Sequence, residues 1–286
     1  MGLLNLSLLV RWGLGWLLCL RMPALAAGVV RGHPSVAVLI PARNEESTLP
    51  HLLRALEAQS FRPLEVIVID DHSSDRTAAI ATQTSPHLEV RLVRPPPLPE
   101  GWCGKTWALH NGVAASRAEV LVFLDADTEP APDFLASLLA CHQELGGLVS
   151  VQPYHRTERA YEQLSVLFNL VGMMAVPLGP RGEVRKWRLV AVLLWLSGLF
   201  WAAWCLPASL LDWPMLGDRG LAANLLLYGC FAAQLLVITR RVGSFGWINL
   251  IFPVPVLFFL GVFVLAIANL ERGTVRWKGR TLSTRP

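Results

Sequence analysis

The stretch Val120-Leu-Val-Phe-Leu-Asp-Ala-Asp127 decides the fold and brings two carboxylates to one point of it. The five apolar residues at its start predict a strand that is covered on both faces of a sheet. Asp125 and Asp127 follow at alternate positions, so both side chains can project to the same side where the strand ends. Two oxygen ligands there suit Mg²⁺ or Mn²⁺ held between the protein and substrate phosphates. The alternative is a polar turn in which Asp127 or Thr128 caps the next helix.

The composition divides the chain into two kinds of segment. The 286 residues are 53% hydrophobic and only 16% charged, which is apolar for a soluble protein. The excess lies in residues 187–270, whereas residues 34–165 have an ordinary α/β composition. We therefore expect an integral membrane protein with a soluble domain near its front. The net charge is only +4, and the positively charged residues cluster beside apolar spans. This pattern favours binding to a membrane surface over binding to nucleic acid.

Strand, polar loop and helix alternate from residue 35 onward. The apolar runs predict strands at residues 36–40 (stopped by Pro41), 64–69, 88–93, 120–124 and 148–152. Helices are predicted after an N-cap at Ser47, from Thr77, from Trp107, at residues 133–144 and at residues 156–175. This order is typical of a doubly wound parallel sheet, where ligands bind beyond the carboxyl ends of the strands. Three polar loops fall at those ends: residues 41–46, 70–75 and 125–128. We expect these loops to form one site.

The residue types at this edge narrow the chemistry. Neither GxGxxG nor GxxxxGK[ST] occurs, so a dehydrogenase or a P-loop nucleotidase is not expected. The edge instead offers four carboxylates and two cations: Asp70, Asp71, Asp125, Asp127, Arg43 and Lys105. Carboxylates that face a diphosphate need a divalent cation between them. Lys105 can add positive charge to the phosphate oxygens, and Asp71 can accept a hydrogen bond from a base or a ribose.

Structural roles are the alternative for each of these residues. Asp70 and Asp75 would then be turn and cap residues. Lys105 would be a solvated charge, and Arg43 would pair with Glu46.

Four segments resemble the nucleotide-binding half of an inverting family 2 glycosyltransferase with the GT-A fold. They are Ile40-Pro-Ala-Arg-Asn-Glu-Glu46, Asp70-Asp-His-Ser-Ser-Asp75, Gly104-Lys-Thr-Trp-Ala-Leu-His-Asn-Gly112 and Asp125-Ala-Asp127. The sequence is most similar to membrane-bound members that glycosylate lipids, including the bacterial carotenoid (diaponeurosporenoate-type) glycosyltransferases. The resemblance covers residues 34–180 and resumes in the tail at residues 275–280.

The resemblance implies a UDP-sugar donor, a lipid or carotenoid-like acceptor, and Mg²⁺ or Mn²⁺ as cofactor. It implies a donor site in which Pro41, Ala42, Arg43 and Glu45 line the nucleotide loop. Asp70 and Asp71 would also bind the donor nucleotide, with Asp71 in contact with the uridine. Lys105 would lie near the nucleotide, Asp125 near the ribose and the metal, and Asp127 on the metal ion.

The sequence departs from the family after the Asp-x-Asp strand. Members carry a second half that supplies the general base, usually in a Glu-Asp pair, and often a Gln-x-x-Arg-Trp motif. No Glu-Asp pair occurs in residues 128–186, and Glu183-Val-Arg-Lys-Trp187 reads either as a degraded motif or as a basic flank. Three alternatives follow: an internal deletion near residue 180, a base from a partner chain, or a non-catalytic protein that binds a nucleotide sugar. An acceptor that is already a carboxylate or phosphate would relax the need for a base.

Apolar segments predict the membrane part. Residues 1–30 predict an uncleaved anchor, with a signal peptide as the alternative. Spans are predicted at residues 188–206, 221–239 and 247–270, before a basic tail at residues 271–286. Basic flanks at residues 181–188 and 240–241, and an acidic stretch at 212–218, predict a multi-pass cell-membrane protein whose soluble domain, residues 34–180, is cytoplasmic. Pro253-Val-Pro255 predicts a break in the third span.

Overall fold

The computed structural model describes residues 2–20, 24–83, 88–175, 186–211, 221–272, 274–277 and 280–283. Its helices are α1 Gly2–Leu20, α2 Leu49–Glu57, α3 Thr77–Ala81, α4 Gly104–Ala115, α5 Phe134–Leu145, α6 Val166–Ala175, α7 Lys186–Leu210, α8 Leu221–Thr239 and α9 Pro253–Arg272. Its strands are β1 Val36–Ala42, β2 Glu65–Asp70, β3 Val90–Val93, β4 Val120–Phe123, β5 Thr274–Trp277 and β6 Arg280–Ser283. Two 3₁₀ segments, Ala160–Ser165 and Trp247–Ile251, complete the set.

The chain divides into two compact units. The helical unit comprises Met1–Ala24 and Gln152–Gly273, and the sheet unit comprises Leu25–Val151 and Thr274–Pro286. Residues 152–175, which we expected to continue the soluble domain, therefore group with the helical unit. The predicted domain boundary at residue 180, the acidic stretch at 212–218 and the motif-like residues 183–185 lie outside the described residues.

A parallel sheet in the order β3-β2-β1-β4 forms the centre of the sheet unit. One face buries Val38 and Ile40 against helix residues that include Leu52 and Leu135. The other face buries Leu39 and residues of β2 against Ala108 of α4. Helices cover both faces, which confirms the predicted doubly wound α/β class.

Strand β1 continues through Pro41, so the predicted stop at residue 40 is wrong. Odd-numbered residues of β1 bond toward β4, as in the hydrogen bond from Leu124 N to Leu39 O. Even-numbered residues bond toward β2, as in the bond from Asp71 N to Ala42 O. The missing N–H of Pro41 points to the side where β4 has already ended, so the proline removes no hydrogen bond between β1 and β2.

Two predicted helix starts also shift. Helix α4 begins at Gly104, three residues before the predicted Trp107, and therefore carries Lys105 in its first turn. Thr48, not Ser47, precedes α2, and its hydroxyl donates to the Glu45 carboxylate at 2.8 Å. Helix α4 therefore starts earlier than the apolar periodicity indicates, whereas α2 starts one residue later than predicted.

Strand β4 lies at one edge of the sheet that the structure describes. Phe123 is 46% exposed, so the prediction of a strand covered on both faces is wrong at that residue. The predicted strand at residues 148–152 is also wrong, and Leu148 is 90% exposed. Within the described residues no segment pairs with the outer edge of β4, and an apolar run without a neighbouring strand has no ladder to join.

The helical unit buries one apolar core. Its largest fully buried side chains are Trp195, Phe231 and Phe252. Among the described residues, two helices are long and apolar enough to cross a membrane, Trp187–Leu210 and Leu221–Thr239. They match the first two predicted spans.

The remaining apolar segments also lie in this unit. The third predicted span is broken as expected, because a 3₁₀ segment ends at Ile251 and α9 begins at Pro253. In the N-terminal segment, α1 packs against α7, with Arg11 lying over Gly198.

The predicted helix at residues 156–175 begins later than expected. His155 exchanges backbone hydrogen bonds with Val242 and Ser244 at 2.8 and 2.9 Å. Thr157 donates its N–H to the Ser244 hydroxyl at 2.7 Å. These contacts hold the chain extended before the 3₁₀ segment at Ala160–Ser165 and α6.

Candidate functional site

The three polar loops meet at the carboxyl end of the sheet, as expected for parallel strands. They enclose a cavity of about 250 Å³ together with α4. Its walls are Pro41, Ala42, Arg43, Glu45, Asp71, Lys105, Ala108, Asp125, Ala126 and Asp127. The structure therefore brings together eight of the nine residues that the sequence predicted for the donor and metal site; Asp70 does not line the cavity.

The loop after β4 alternates as the sequence predicts. Asp125 and Asp127 are exposed, and Ala126 between them is buried. The Lys105 ammonium lies 2.5 Å from Asp125 Oδ1. Because Lys105 is in the first turn of α4, the helix N-terminus adds positive potential beside the two carboxylates.

Arg43 and Asp71 form the opposite wall. Arg43 Nη1 donates to the backbone carbonyl of Asp71 at 2.7 Å and lies 3.9 Å from its carboxylate. Asp71 is only 4% exposed. The alternative pairing of Arg43 with Glu46 is wrong, since Glu46 forms its ion pair with Arg76 at 3.3 Å.

Asp70 has a structural role in this arrangement. Its carboxylate is buried, accepts from Ser73 N at 3.0 Å and lies 3.3 Å from Arg94 Nε. These contacts fix the turn that leaves β2, so Asp70 shapes the site from behind the cavity wall.

Hydrogen bonds tie the first two polar loops to each other. Asn44 N donates to the Ser73 hydroxyl at 3.0 Å, and Ser74 N donates to Asn44 Oδ1 at 2.8 Å. Asn44 has φ of 54°, in the left-handed region that asparagine tolerates better than most residues. Our sequence reasoning did not assign a role to Asn44; an asparagine directly after Arg43 in a tight loop was the available signal.

Asp75 makes the third link between these loops. It accepts from Glu46 N at 3.1 Å, from Thr77 N at 3.0 Å and from Thr77 Oγ1 at 2.5 Å. Burial acts to raise the pKa of Asp75, but these hydrogen bonds outweigh it and hold the pKa below its ordinary value. The loop is therefore organised around an ionised carboxylate.

The residues present fit a cation that is shared with a ligand. Among the described residues no group of three or more His, Cys, Asp or Glu side chains could enclose a metal ion. Two carboxylates at the mouth of a cavity match the habit of Mg²⁺, which takes one or two protein carboxylates and completes its shell with phosphate oxygens and water.

Comparison with known proteins finds a family match for about half of the chain. Residues 37–174 match the model of glycosyl transferase family 2. The 4,4'-diaponeurosporenoate glycosyltransferase of Staphylococcus haemolyticus is 41% identical over 140 residues, covering 48% of this chain and 36% of that protein. Its namesake in Staphylococcus aureus is 38% identical over 148 residues, covering 50% of this chain and 38% of that protein. The chain thus matches little more than a third of the length of these relatives.

Solved structures give a weaker likeness. A mannosyltransferase from Pyrobaculum calidifontis, in complex with GDP-Man and Mn²⁺, is 23% identical with a TM-score of 0.40 and covers 59% of this chain and 46% of its own. A glucosyl-3-phosphoglycerate synthase from Mycobacterium tuberculosis, in complex with Mn²⁺, UDP-glucose and glycerol 3-phosphate, is 26% identical with a TM-score of 0.35 and covers 47% and 49%. The assignment rests on the sequence match and on the sheet described above. Residues 37–174 of this chain match a glycosyltransferase family 2 domain and include the whole parallel sheet β3-β2-β1-β4 except the first residue of β1.

Proposed function

We propose that this chain is a membrane-bound transferase that moves a sugar from a UDP-sugar to a lipid-type acceptor, with Mg²⁺ or Mn²⁺ as cofactor. The observation that carries the proposal is the meeting of Asp71, Lys105, Asp125 and Asp127 in one cavity at the carboxyl end of the sheet. These residues come from two separate loops and one helix start, within residues that match the transferase family.

The nucleotide end of the donor would lie against Asp71. A buried carboxylate held by Arg43 is pre-oriented, and it can accept a hydrogen bond from the N–H of a uracil base. Pro41 and Ala42 would form the apolar floor beneath the base, since they are the last two residues of β1 and both line the cavity.

The diphosphate would lie between Lys105 and the Asp125-Ala-Asp127 loop. A bound divalent cation would neutralise charge on the leaving diphosphate. Asp125 and Asp127 would hold this cation, and Lys105 would exchange its contact with Asp125 for a phosphate oxygen. When donor and cation bind, the ion pair between Lys105 and Asp125 would therefore open, with the phosphate contacting Lys105 and the cation contacting Asp125.

A lipid-type acceptor is supported by two features. The curated relatives are named for 4,4'-diaponeurosporenoate as acceptor. Two helices in the described part of the chain are apolar enough to span a membrane, and basic residues at positions 240 and 241 follow the second. We propose that the chain is a multi-pass protein of the cell membrane whose sheet unit is cytoplasmic.

A carboxylate or phosphate acceptor would also suit the chemistry. An alcohol acceptor must lose a proton as the sugar is transferred, which requires a general base. An acceptor oxygen that is already ionised needs none. We propose an inverting transfer, in which an acceptor with an anionic nucleophile would need no general base from this chain.

The test is donor turnover in membranes that contain the full chain. Membranes would be incubated with radiolabelled UDP-glucose, then with other UDP-sugars, in the presence of Mn²⁺ or Mg²⁺. Label in the organic phase and UDP release would be measured for the wild type, for Asp127→Asn and for Glu119→Gln. Glu119 is an exposed carboxylate at the opposite end of β4, so its variant controls for a loss of surface charge.

We expect metal-dependent label in lipid for the wild type and the Glu119 variant, and at least a hundredfold less for Asp127→Asn. Turnover that survives Asp127→Asn or chelation would refute the metal assignment. Metal-dependent UDP binding without turnover on any donor would mean that the chain binds nucleotide sugars without transferring them.

A further inference from the structure

One end of the helical unit contains a buried arginine whose charge is not balanced by a described residue. Arg188 lies in the first turn of α7 and is 8% exposed. Its Nε donates to the carbonyl of Met174, in the last turn of α6, at 3.3 Å. Its Nη2 is buried, and no hydrogen-bond partner for that atom lies in the part of the chain that the structure describes. No described carboxylate forms an ion pair with it.

Burying a charged guanidinium destabilises the folded protein unless an anion or hydrogen-bond acceptors compensate for its lost hydration. A buried cation without a counter-charge loses its hydration and gains little in return. The Met174 carbonyl satisfies one N–H and supplies only a partial negative charge. The position therefore favours an anion that the described part of the chain does not provide.

A second arginine lies at the same end of the unit. Arg241 follows α8 and donates from Nη1 to the backbone carbonyl of Cys19 at 3.3 Å. Arg188 is also near enough to Cys19 for its charge, like that of Arg241, to act on the Cys19 thiol. Arg241 is exposed, so an anion in solvent can reach its guanidinium.

Apolar surface begins directly beside this pair. Trp187, Leu189, Val190 and Leu193 of α7 are all exposed by 40% or more of their area. The Trp187 ring lies 5.9 Å from the Arg188 guanidinium. A free inorganic anion would use the two arginines but not this surface, whereas a molecule with an anionic head and an apolar tail would use both.

We propose that Arg188 and Arg241 bind the carboxylate or phosphate head group of a membrane amphiphile whose apolar tail lies along the first turns of α7. The site lies entirely within the helical unit. It does not rest on the proposed sugar transfer, and it can be tested without a donor or a metal.

The test uses the purified full chain in detergent and native mass spectrometry, which counts bound lipids. Phosphatidylglycerol and oleate are the anionic probes, and phosphatidylcholine is the probe without net charge. The variants are Arg188→Gln, Arg241→Gln and, as matched control, Arg240→Gln, which removes an exposed charge one residue from Arg241.

We expect tight binding of one phosphatidylglycerol or oleate, weaker binding of phosphatidylcholine, and a loss of about tenfold in affinity for the anionic probes in Arg188→Gln and in Arg241→Gln. The Arg240 variant should bind as the wild type does. An excess of inorganic phosphate should not displace the lipid.

Three results would overturn the proposal. Equal binding of phosphatidylcholine would remove the head-group role, and an equal loss in Arg240→Gln would mean that surface charge alone attracts the lipid. Displacement by inorganic phosphate would mean a small-anion site without the apolar contact. If Arg188→Gln does not fold, the contrast between Arg241→Gln and Arg240→Gln decides, with Arg188→Lys as the variant that retains the charge.

Discussion

The ammonium nitrogen of Lys105 lies 2.5 Å from Oδ1 of Asp125, and this contact joins the start of α4 to the loop after β4. The two side chains are 46% and 54% exposed, so their ion pair is solvated and contributes little to stability. A charge pair of this kind at a cavity mouth is easily exchanged for a ligand. We therefore expect Lys105 and Asp125 to contribute to donor binding more than to stability.

Lys105→Met tests that distinction. We expect the free energy of unfolding to change by less than about 1 kcal/mol, because the pair is exposed. Affinity for UDP in the presence of Mn²⁺ should fall by about tenfold or more, because one charge-assisted contact to phosphate is lost. Calorimetric titration measures the affinity, and Lys105→Arg should recover most of it. Equal UDP binding in all three chains would remove Lys105 from the site.

Asp70 and Asp71 are adjacent, but their variants should differ in kind. Asp70→Ala removes the acceptor of Ser73 N and should cost about 1–3 kcal/mol of stability, with UDP affinity of the folded protein nearly unchanged. Asp71→Asn leaves the backbone carbonyl that accepts from Arg43 in place, so it should fold and lose donor affinity. Thermal unfolding and UDP titration on the same samples separate the two effects. The reverse pattern would exchange the roles assigned here.

The register of the apolar runs predicted most of the sheet, but not its edges. Strands β1 to β4 lie within two residues of their predicted positions because long β-branched and leucine-rich runs have few other ways to be buried. Residues 148–152 have the same local pattern and form no strand, since pairing depends on a neighbour that local sequence does not specify. The extended chain at His155 is similar, because it depends on backbone bonds to residues far along the sequence.

The candidate site was predictable by position more than by contact. Three polar loops at strand ends are enough to place Arg43, Asp71 and Asp125 near one another. The burial of Asp70 behind the wall was not predictable, since neighbouring aspartates in one loop differ only in the direction of their side chains. The bonds between Asn44 and Ser73 also depend on a left-handed backbone that composition does not reveal.

Gly112 permits α4 to approach the sheet closely. A Cβ at this position would lie 2.8 Å from Ile69 Cδ1 and 3.1 Å from Leu39 Cδ2, both in the buried core. Gly112→Ala should therefore destabilise the sheet unit by about 1–3 kcal/mol and, by shifting α4, lower donor affinity as well. Gly172→Ala is the control, because the space around that helical glycine is open and the change should be neutral or slightly stabilising. Denaturant unfolding distinguishes the two, and equal stability of both variants would contradict the close packing.

The lowered pKa of Asp75 predicts that the stability of the folded chain depends on pH. Its pKa is lower in the folded chain than in the unfolded chain, so the ionised form stabilises the folded state above the unfolded pKa of about 3.9. That contribution is lost as the pH falls through the folded pKa. Asp75→Asn should thus lower the apparent melting temperature by about 2–4 °C at pH 7, and the difference should shrink as the pH falls below about 4.

Asp133→Asn provides the comparison for this measurement. Asp133 precedes α5 and makes no side-chain cap hydrogen bond, so its substitution should have little effect at either pH. A melting-temperature difference for Asp75→Asn that stays constant from pH 7 to acid would mean that shape, and not charge, links the loops.

Pro41 has a consequence for the strand beside it. The next bond in the series between β1 and β4 would run from the N–H of residue 41 to the carbonyl of Leu124, and a proline has no N–H to donate. The neighbouring chain is thereby released from the sheet one residue before Asp125. Pro41 thus sets the residue at which β4 ends. A substitution that restored the N–H at position 41 would allow one more hydrogen bond between β1 and β4. Asp125 would then be drawn into the sheet and its carboxylate would leave the cavity, although neither aspartate is changed.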